Sequence, residues 1–174
     1  MNYGEIKYCD IANGPGVRTS LFVSGCTHHC KNCFNAQTWD FNFGAPFTEK
    51  EEDEIVESLK PEYITGFTLL GGEPFEPQNQ KGVLPLLKKI KTSFPHKTIW
   101  IYTGYLFDKE IIGKMLDTVP ETKEILSLTD VIVDGRFVEE LKSLSLKFKG
   151  SSNQRTIDVQ ASLASGDVVI VEGY

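Results

Sequence analysis

No run of apolar residues in this chain approaches the roughly 20 that a membrane-crossing helix needs, although 40% of its 174 residues are hydrophobic. A membrane is therefore not expected as a partner. Basic residues are the minority: 18 Lys and Arg stand against 24 Asp and Glu, a net charge of −6. A nucleic-acid footprint is basic, so nucleic acid is not expected either. Internal repeats, low-complexity tracts and linker-like stretches are missing. The length suits one domain, 1–174, with a core of its own. It falls short of the about 250 residues of a full (β/α)₈ barrel. No segment resembling a secretory leader precedes residue 26, which predicts a cytoplasmic chain with reduced thiols.

Cysteine is scarce as well, with four in all, yet three lie within Cys26-Thr27-His28-His29-Cys30-Lys31-Asn32-Cys33. Thiolates are soft ligands that select iron–sulfur clusters, zinc or copper(I). A [4Fe–4S] cluster normally takes four cysteines. A compact loop offering three leaves one iron open, much as a catalytic zinc keeps one position free. Zinc competes, because His28 or His29 could complete a Cys₃His set. On the loop alone the two readings stand level. Disulfides do not suit a reduced compartment. Unliganded core thiols do not suit a loop that interleaves Thr, His, Lys and Asn. Cys9 lies apart and reads as a small buried hydrophobe; as a fourth ligand it would block the open iron.

The remaining pattern alternates strands with helices, which predicts a parallel sheet. Residues 1–17 read as a turn-rich connection, with Asn-Gly-Pro-Gly at 13–16 as a turn. Strands are expected at Arg18–Ser24, Ile64–Leu70, Thr98–Thr103 and Asp130–Asp134. Gly25 ends the first, so the cysteine loop falls at a strand's C-terminal end, where α/β folds place their sites. Trp39, Phe41, Phe43 and Phe47 are expected to pack over the loop. Thr48 and Glu51 form a capping box ahead of a helix carrying Ile55, Val56 and Leu59. A second helix carries Val83, Leu84, Leu87 and Ile90, with Pro85 in its first turn. A third carries Ile111, Ile112, Met115 and Leu116, capped by Asp108. The end, Ile157 to Val171, reads as a hairpin around 164–167. Gly71-Gly72-Glu73 is a glycine turn ending a strand, and alone it is structural.

CxxxCxxC is the signature of radical S-adenosylmethionine enzymes, and the chain resembles that family. The approach Asp10 to Gly25, with Asn-Gly-Pro-Gly and Arg18, is similar to the activases of glycyl-radical enzymes. Cys33-Phe34-Asn35 with Trp39, Thr103-Gly104-Tyr105 and Gly150-Ser151-Ser152-Asn153-Gln154 narrow the resemblance to activating proteins of anaerobic ribonucleoside-triphosphate reductases. It covers roughly residues 3–157. It departs at Phe34, commonly Tyr in the family, at Glu73, often Asp, and at Asn32, where other radical S-adenosylmethionine enzymes place an aromatic.

The resemblance implies an incomplete, TIM-like barrel of parallel strands with outer helices, the radical S-adenosylmethionine fold. It implies a [4Fe–4S] cluster on Cys26, Cys30 and Cys33. It implies S-adenosylmethionine held by Gly71, Gly72 and Glu73 at its ammonium and by Asn32, Cys33 and Phe34 at its adenine. Residues 147–155 could reach its carboxylate, contact the partner protein or cap a turn. The implied partners are the large subunit of anaerobic ribonucleoside-triphosphate reductase and a flavodoxin-like electron donor. The implied activity is that of an oxidoreductase, a glycyl-radical activating enzyme like that of formate C-acetyltransferase. No side chain beyond the cluster ligands need be catalytic. Alternatives are an activase of another glycyl-radical enzyme, a small-molecule radical enzyme, or a zinc-binding adaptor without catalysis.

Overall fold

The computed structural model describes residues 1–174. Its elements run β1 (Asn2–Asp10), β2 (Val17–Val23), β3 (Ala45–Pro46), α1 (Glu49–Ser58), β4 (Ile64–Gly71), α2 (Pro77–Ser93) and β5 (Thr98–Tyr102). A π-helical stretch, Phe107–Met115, runs into α3 (Leu116–Thr118). Then come α4 (Thr122–Leu128), β6 (Val131–Asp134), β7 (Arg155–Asp158), α5 (Val159–Ser165) and β8 (Val169–Ile170). All eight strands share one open sheet, in the order β3-β1-β2-β4-β5-β6-β7-β8. No helix is long and apolar enough to cross a membrane.

The four strands read from the sequence form the parallel centre, β2-β4-β5-β6. The flanks are antiparallel, so the expectation of an all-parallel sheet is corrected. Parallel neighbours need a crossover of a dozen or more residues. Only residues 11–16 separate β1 from β2, which forces a reversal. The turn-rich reading of residues 1–17 therefore missed a nine-residue strand. Beyond β6, residues 135–154 contain only one short 3₁₀ turn, Glu139–Leu141, and no crossover helix. The expected final hairpin is half right: β7 and β8 pair antiparallel, but α5 joins them.

Alternation along the strands decides which face is greasy. Leu21, Leu69, Ile101, Ile132 and Ile157 stand side by side across five strands. Together with Ile55 and Leu59 of α1, Val83, Leu86, Leu87 and Ile90 of α2, and Ile125 and Leu126 of α4, they form the buried core. The opposite face carries Arg18, Ser20, Phe22, Thr68, Leu70, Trp100 and Tyr102. The capping box is present, with the Glu51 carboxylate accepting from the Thr48 backbone N–H at 2.8 Å. Helix α2 begins two turns earlier than expected, so Pro85 sits inside it rather than in its first turn. Asp108 lies one residue into the π-helical stretch, whose cap is Leu106, and instead pairs with Arg155 at 2.7 Å.

Candidate functional site

A cavity of about 550 Å³ opens at the C-terminal ends of the parallel strands. Cys26, Cys30 and Cys33 line it, together with Phe34, Gly71, Gly72 and Glu73. Asn32 does not. Its side chain, on a positive-φ backbone, turns outward to the Glu139 carboxylate. Cys9 is exposed on β1 and absent from the cavity wall, which corrects its reading as a buried hydrophobe. The reason is local: β1 loses register between Lys7 and Asp10, and Cys9 takes φ 57° at that irregularity.

The cysteine loop is tied to the glycine turn through backbone. Gly72 N–H donates to Val23 O at 2.7 Å and Glu73 N–H to Gly25 O at 2.8 Å. A Cβ at Gly72 would sit 2.5 Å from Gly25 O, and one at Gly25 would strike the Phe41 ring at 2.2 Å. The glycines thus let the two loops approach each other closely. From the other side, Gly25 N–H and Cys26 N–H donate to Thr38 O and Trp39 O. Trp39 packs against the His29 ring at 4.7 Å, so Trp39 and Phe41 cover the loop as expected. Phe43 and Phe47 do not: they meet Gly4 and Tyr3 on β1.

Two carboxylates unmarked as partners of the loop meet it here. Glu73, 1% exposed, accepts from Phe75 N–H (2.8 Å), the Thr103 hydroxyl (2.8 Å), Gly104 N–H (2.7 Å) and His28 Nε2 (3.0 Å). Glu76, also buried, accepts from Thr27 N–H (2.9 Å) and the Thr27 hydroxyl (2.5 Å). The Tyr105 ring leans edge-on against His28 at 4.3 Å. Burial pushes its phenol up to about 12, which keeps it a proton donor towards Glu76. Asn79, fully buried on α2, donates to Ser24 O (3.0 Å) and Glu73 O (2.9 Å). Sequence reasoning missed Glu76 and Asn79. Their partners lie 49 and 55 residues away, and no spacing rule reaches that far.

Residues 150–154 form a turn, and Gly150 and Gln154 of that turn also line the cavity. Gln154 Oε1 accepts from Gly150 N–H (2.8 Å) and Ser151 N–H (3.1 Å), and its amide donates to Gly135 O (2.9 Å). Asn153 caps Arg136 O. These groups close a turn at the cavity wall.

Burial pushes the Cys26 thiol up to about 11, and the Cys30 thiol also rises for the same reason. Such thiols stay protonated until a metal displaces the proton. No three His, Cys, Asp or Glu side chains converge on one point that could hold a single ion. His28 is engaged by Glu73, and His29 lies against Trp39. Both histidines are thus held by protein groups rather than by the thiols. A cubane takes each thiolate on a different iron, so its ligands need to surround a volume rather than converge. Three soft donors around an open cavity fit that requirement.

Comparison with known proteins agrees. A family model described as "4Fe-4S single cluster domain" matches residues 12–157. An anaerobic ribonucleoside-triphosphate reductase-activating protein of Escherichia coli (strain K12) is 44% identical over 156 residues, covering 88% of this chain and 96% of that one. Proteins with the same name from Enterobacteria phage T4 (42%; 89% and 92% covered) and Vibrio cholerae (40%; 88% and 96% covered) are also similar. With the cysteine loop facing a cavity and these relatives spanning nearly its whole matched length, the chain belongs to the 4Fe-4S single cluster domain family, among the anaerobic ribonucleoside-triphosphate reductase-activating proteins.

Proposed function

We propose that this chain is a radical S-adenosylmethionine activase, an oxidoreductase of the cytoplasm that installs a glycyl radical on the large subunit of an anaerobic ribonucleoside-triphosphate reductase. One observation carries the reading: the CxxxCxxC thiols and the Gly71-Gly72-Glu73 turn wall the same cavity at the C-terminal ends of the parallel strands. Cys26, Cys30 and Cys33 would hold the [4Fe–4S] cluster. With S-adenosylmethionine bound, and an electron from a flavodoxin-like donor, it supplies reductive C–S cleavage and thence hydrogen abstraction from a glycine Cα.

The chain's own residues position and shield. Gly72 O takes no hydrogen bond from the protein, so it is the acceptor we assign to the methionyl ammonium. Glu73 lends its negative charge nearby while its oxygens serve protein donors. The backbone at Cys33 and Phe34 is assigned to the adenine. Trp39 and Phe41 keep water from the loop's outer side. The sheet stays open, and we read it as the incomplete barrel of the radical S-adenosylmethionine fold, with an open side that admits a partner. Phe137, Leu146 and Phe148 line the cavity, and the same segment leaves Leu141 and Leu144 exposed, Leu144 at 97%. Exposed apolar side chains beside a site favour a protein partner.

The test is isotopic. With the reductase present and its glycine deuterated at Cα, label should pass into 5′-deoxyadenosine. Label arriving in, or leaving from, a small molecule instead would make this a small-molecule enzyme.

A further inference from the structure

The segment between Cys26 and Cys30 is Thr27-His28-His29, and two of these three residues are gripped by buried carboxylates of one turn. Glu76 takes both donors of Thr27, at 2.9 and 2.5 Å. Glu73 takes His28 Nε2 at 3.0 Å. The same Glu73 carboxylate is anchored to the end of β5 by the Thr103 hydroxyl and Gly104 N–H. The His28 side chain is 4% exposed, and the Tyr105 ring covers it. We propose that Glu73 and Glu76 form a two-carboxylate clamp that presets the Cys26–Cys30 segment, with His28 and Thr27 as positioning residues for the thiols. This deepens the proposed function and rests on it for the identity of the cluster. It moves the Glu73 side chain from ligand contact to support of the loop. A polar group that orients a metal-binding segment acts as the outer shell of the site.

The chemistry of the two carboxylates separates them. Both oxygens of Glu73 accept, Oε1 from Phe75 and Thr103, Oε2 from Gly104 and His28. An amide in its place must set an N–H against a donor. Glu76 accepts from Thr27 through Oε1 alone, so an amide oxygen can replace it. Glu73→Gln should therefore break the clamp and Glu76→Gln should spare it, whereas Glu76→Ala should weaken it. His28→Ala should behave as Glu73→Gln does. His28→Gln keeps an N–H donor and should restore much of the loss.

The experiment reconstitutes each variant anaerobically with iron and sulfide and follows iron release to a chelator. Glu73→Gln and His28→Ala should lose iron about 10–100-fold faster than the parent, the usual cost of an outer-shell change. Glu76→Gln should release iron at the parent rate. Amide hydrogen exchange over residues 26–33 of the metal-free chain reads the clamp without the cluster, and it should speed up in the same two variants while the core stays protected. Circular dichroism sets aside any variant that fails to fold; His28→Ala, which leaves the turn's own bonds intact, then decides. Iron retention and loop exchange equal to the parent in both Glu73→Gln and His28→Ala, with only S-adenosylmethionine affinity lowered in Glu73→Gln, would overturn the clamp. A parent chain that assembles no cluster would instead sink the activase reading, and the exchange data would still judge the clamp.

Discussion

Two buried charges face each other along the length of the sheet, and their surroundings differ. Glu73 lies at the C-terminal end of β4 and ties loops together. Arg18 lies near the N-terminal end of β2, 1% exposed, and ties strands together. Its guanidinium donates to Phe67 O and Thr98 O (both 2.8 Å), to the Thr68 hydroxyl (2.7 Å) and to the Thr98 hydroxyl (3.0 Å). No carboxylate pairs with it, and burial pulls it down to about 10. Trp100 covers it at 5.6 Å. A buried ion is costly unless its donors are filled, and here neutral oxygens from β4 and β5 fill them. The same device serves opposite ends: at one it closes the base of the sheet, at the other it holds the cysteine loop. Side chains at the C-terminal ends carry chemistry, and those at the other end carry stability.

The sharpest way to break the comparison is Arg18→Met. Loss of its donors leaves buried oxygens of β4 and β5 unpaired and should cost about 1–3 kcal/mol. Urea unfolding should show a lower midpoint with an unchanged slope, while the folded fraction still takes up iron. Glu73→Gln should do the reverse, with a smaller fall in midpoint and a large loss of iron. If Arg18→Met loses iron ahead of stability, the two ends are not separable.

Gly72→Val comes next. Its Cβ would press on Gly25 O at 2.5 Å, prising the turn from the cysteine loop. Iron content per chain should fall together with S-adenosylmethionine affinity. A fall in affinity with full iron content would mean that the glycine serves the ligand alone.

Asp10 gives a pH-dependent test at the base. Burial raises its pKa, but bonds from Ser20, Asn13 and Ala12 outweigh that and hold the carboxyl below its ordinary value. A depressed acid stabilises the fold above its unfolded value of about 4, and the gain is lost as pH falls through the folded value. Stability measured below pH 4 should therefore fall in the parent and change less in Asp10→Asn. Equal slopes would remove Asp10 from the base network.

How much of this was legible depends on range. The parallel strands β2, β4, β5 and β6 announced themselves through apolar runs, and the capping box at Thr48 and Glu51 spans three residues. β1 did not, because all but one of its residues are exposed or half-buried and a strand outside the core needs no greasy run. The resemblance at Asn-Gly-Pro-Gly and Arg18 pointed to family without giving a reason. The structure supplies one: a Cβ at Gly14 would crowd Arg18 Cδ at 2.9 Å, and one at Gly16 would meet Thr65 Oγ1 at 2.5 Å. That the three thiols of the cysteine loop come together was legible because their spacing is local. The loop's supports, Glu76, Asn79 and Thr103, were not, because each acts across 30 residues or more.

The three-thiol site is tested most directly by iron and sulfide analysis, with the electron paramagnetic resonance spectrum of the reduced cluster, on four single alanine variants prepared without oxygen. Cys26→Ala, Cys30→Ala and Cys33→Ala should each lose the [4Fe–4S] signal. Cys9→Ala, exposed on β1 and away from the cavity, should keep the parent's iron, sulfide and spectrum. Loss of the cluster in Cys9→Ala with survival in Cys30→Ala would contradict the assignment.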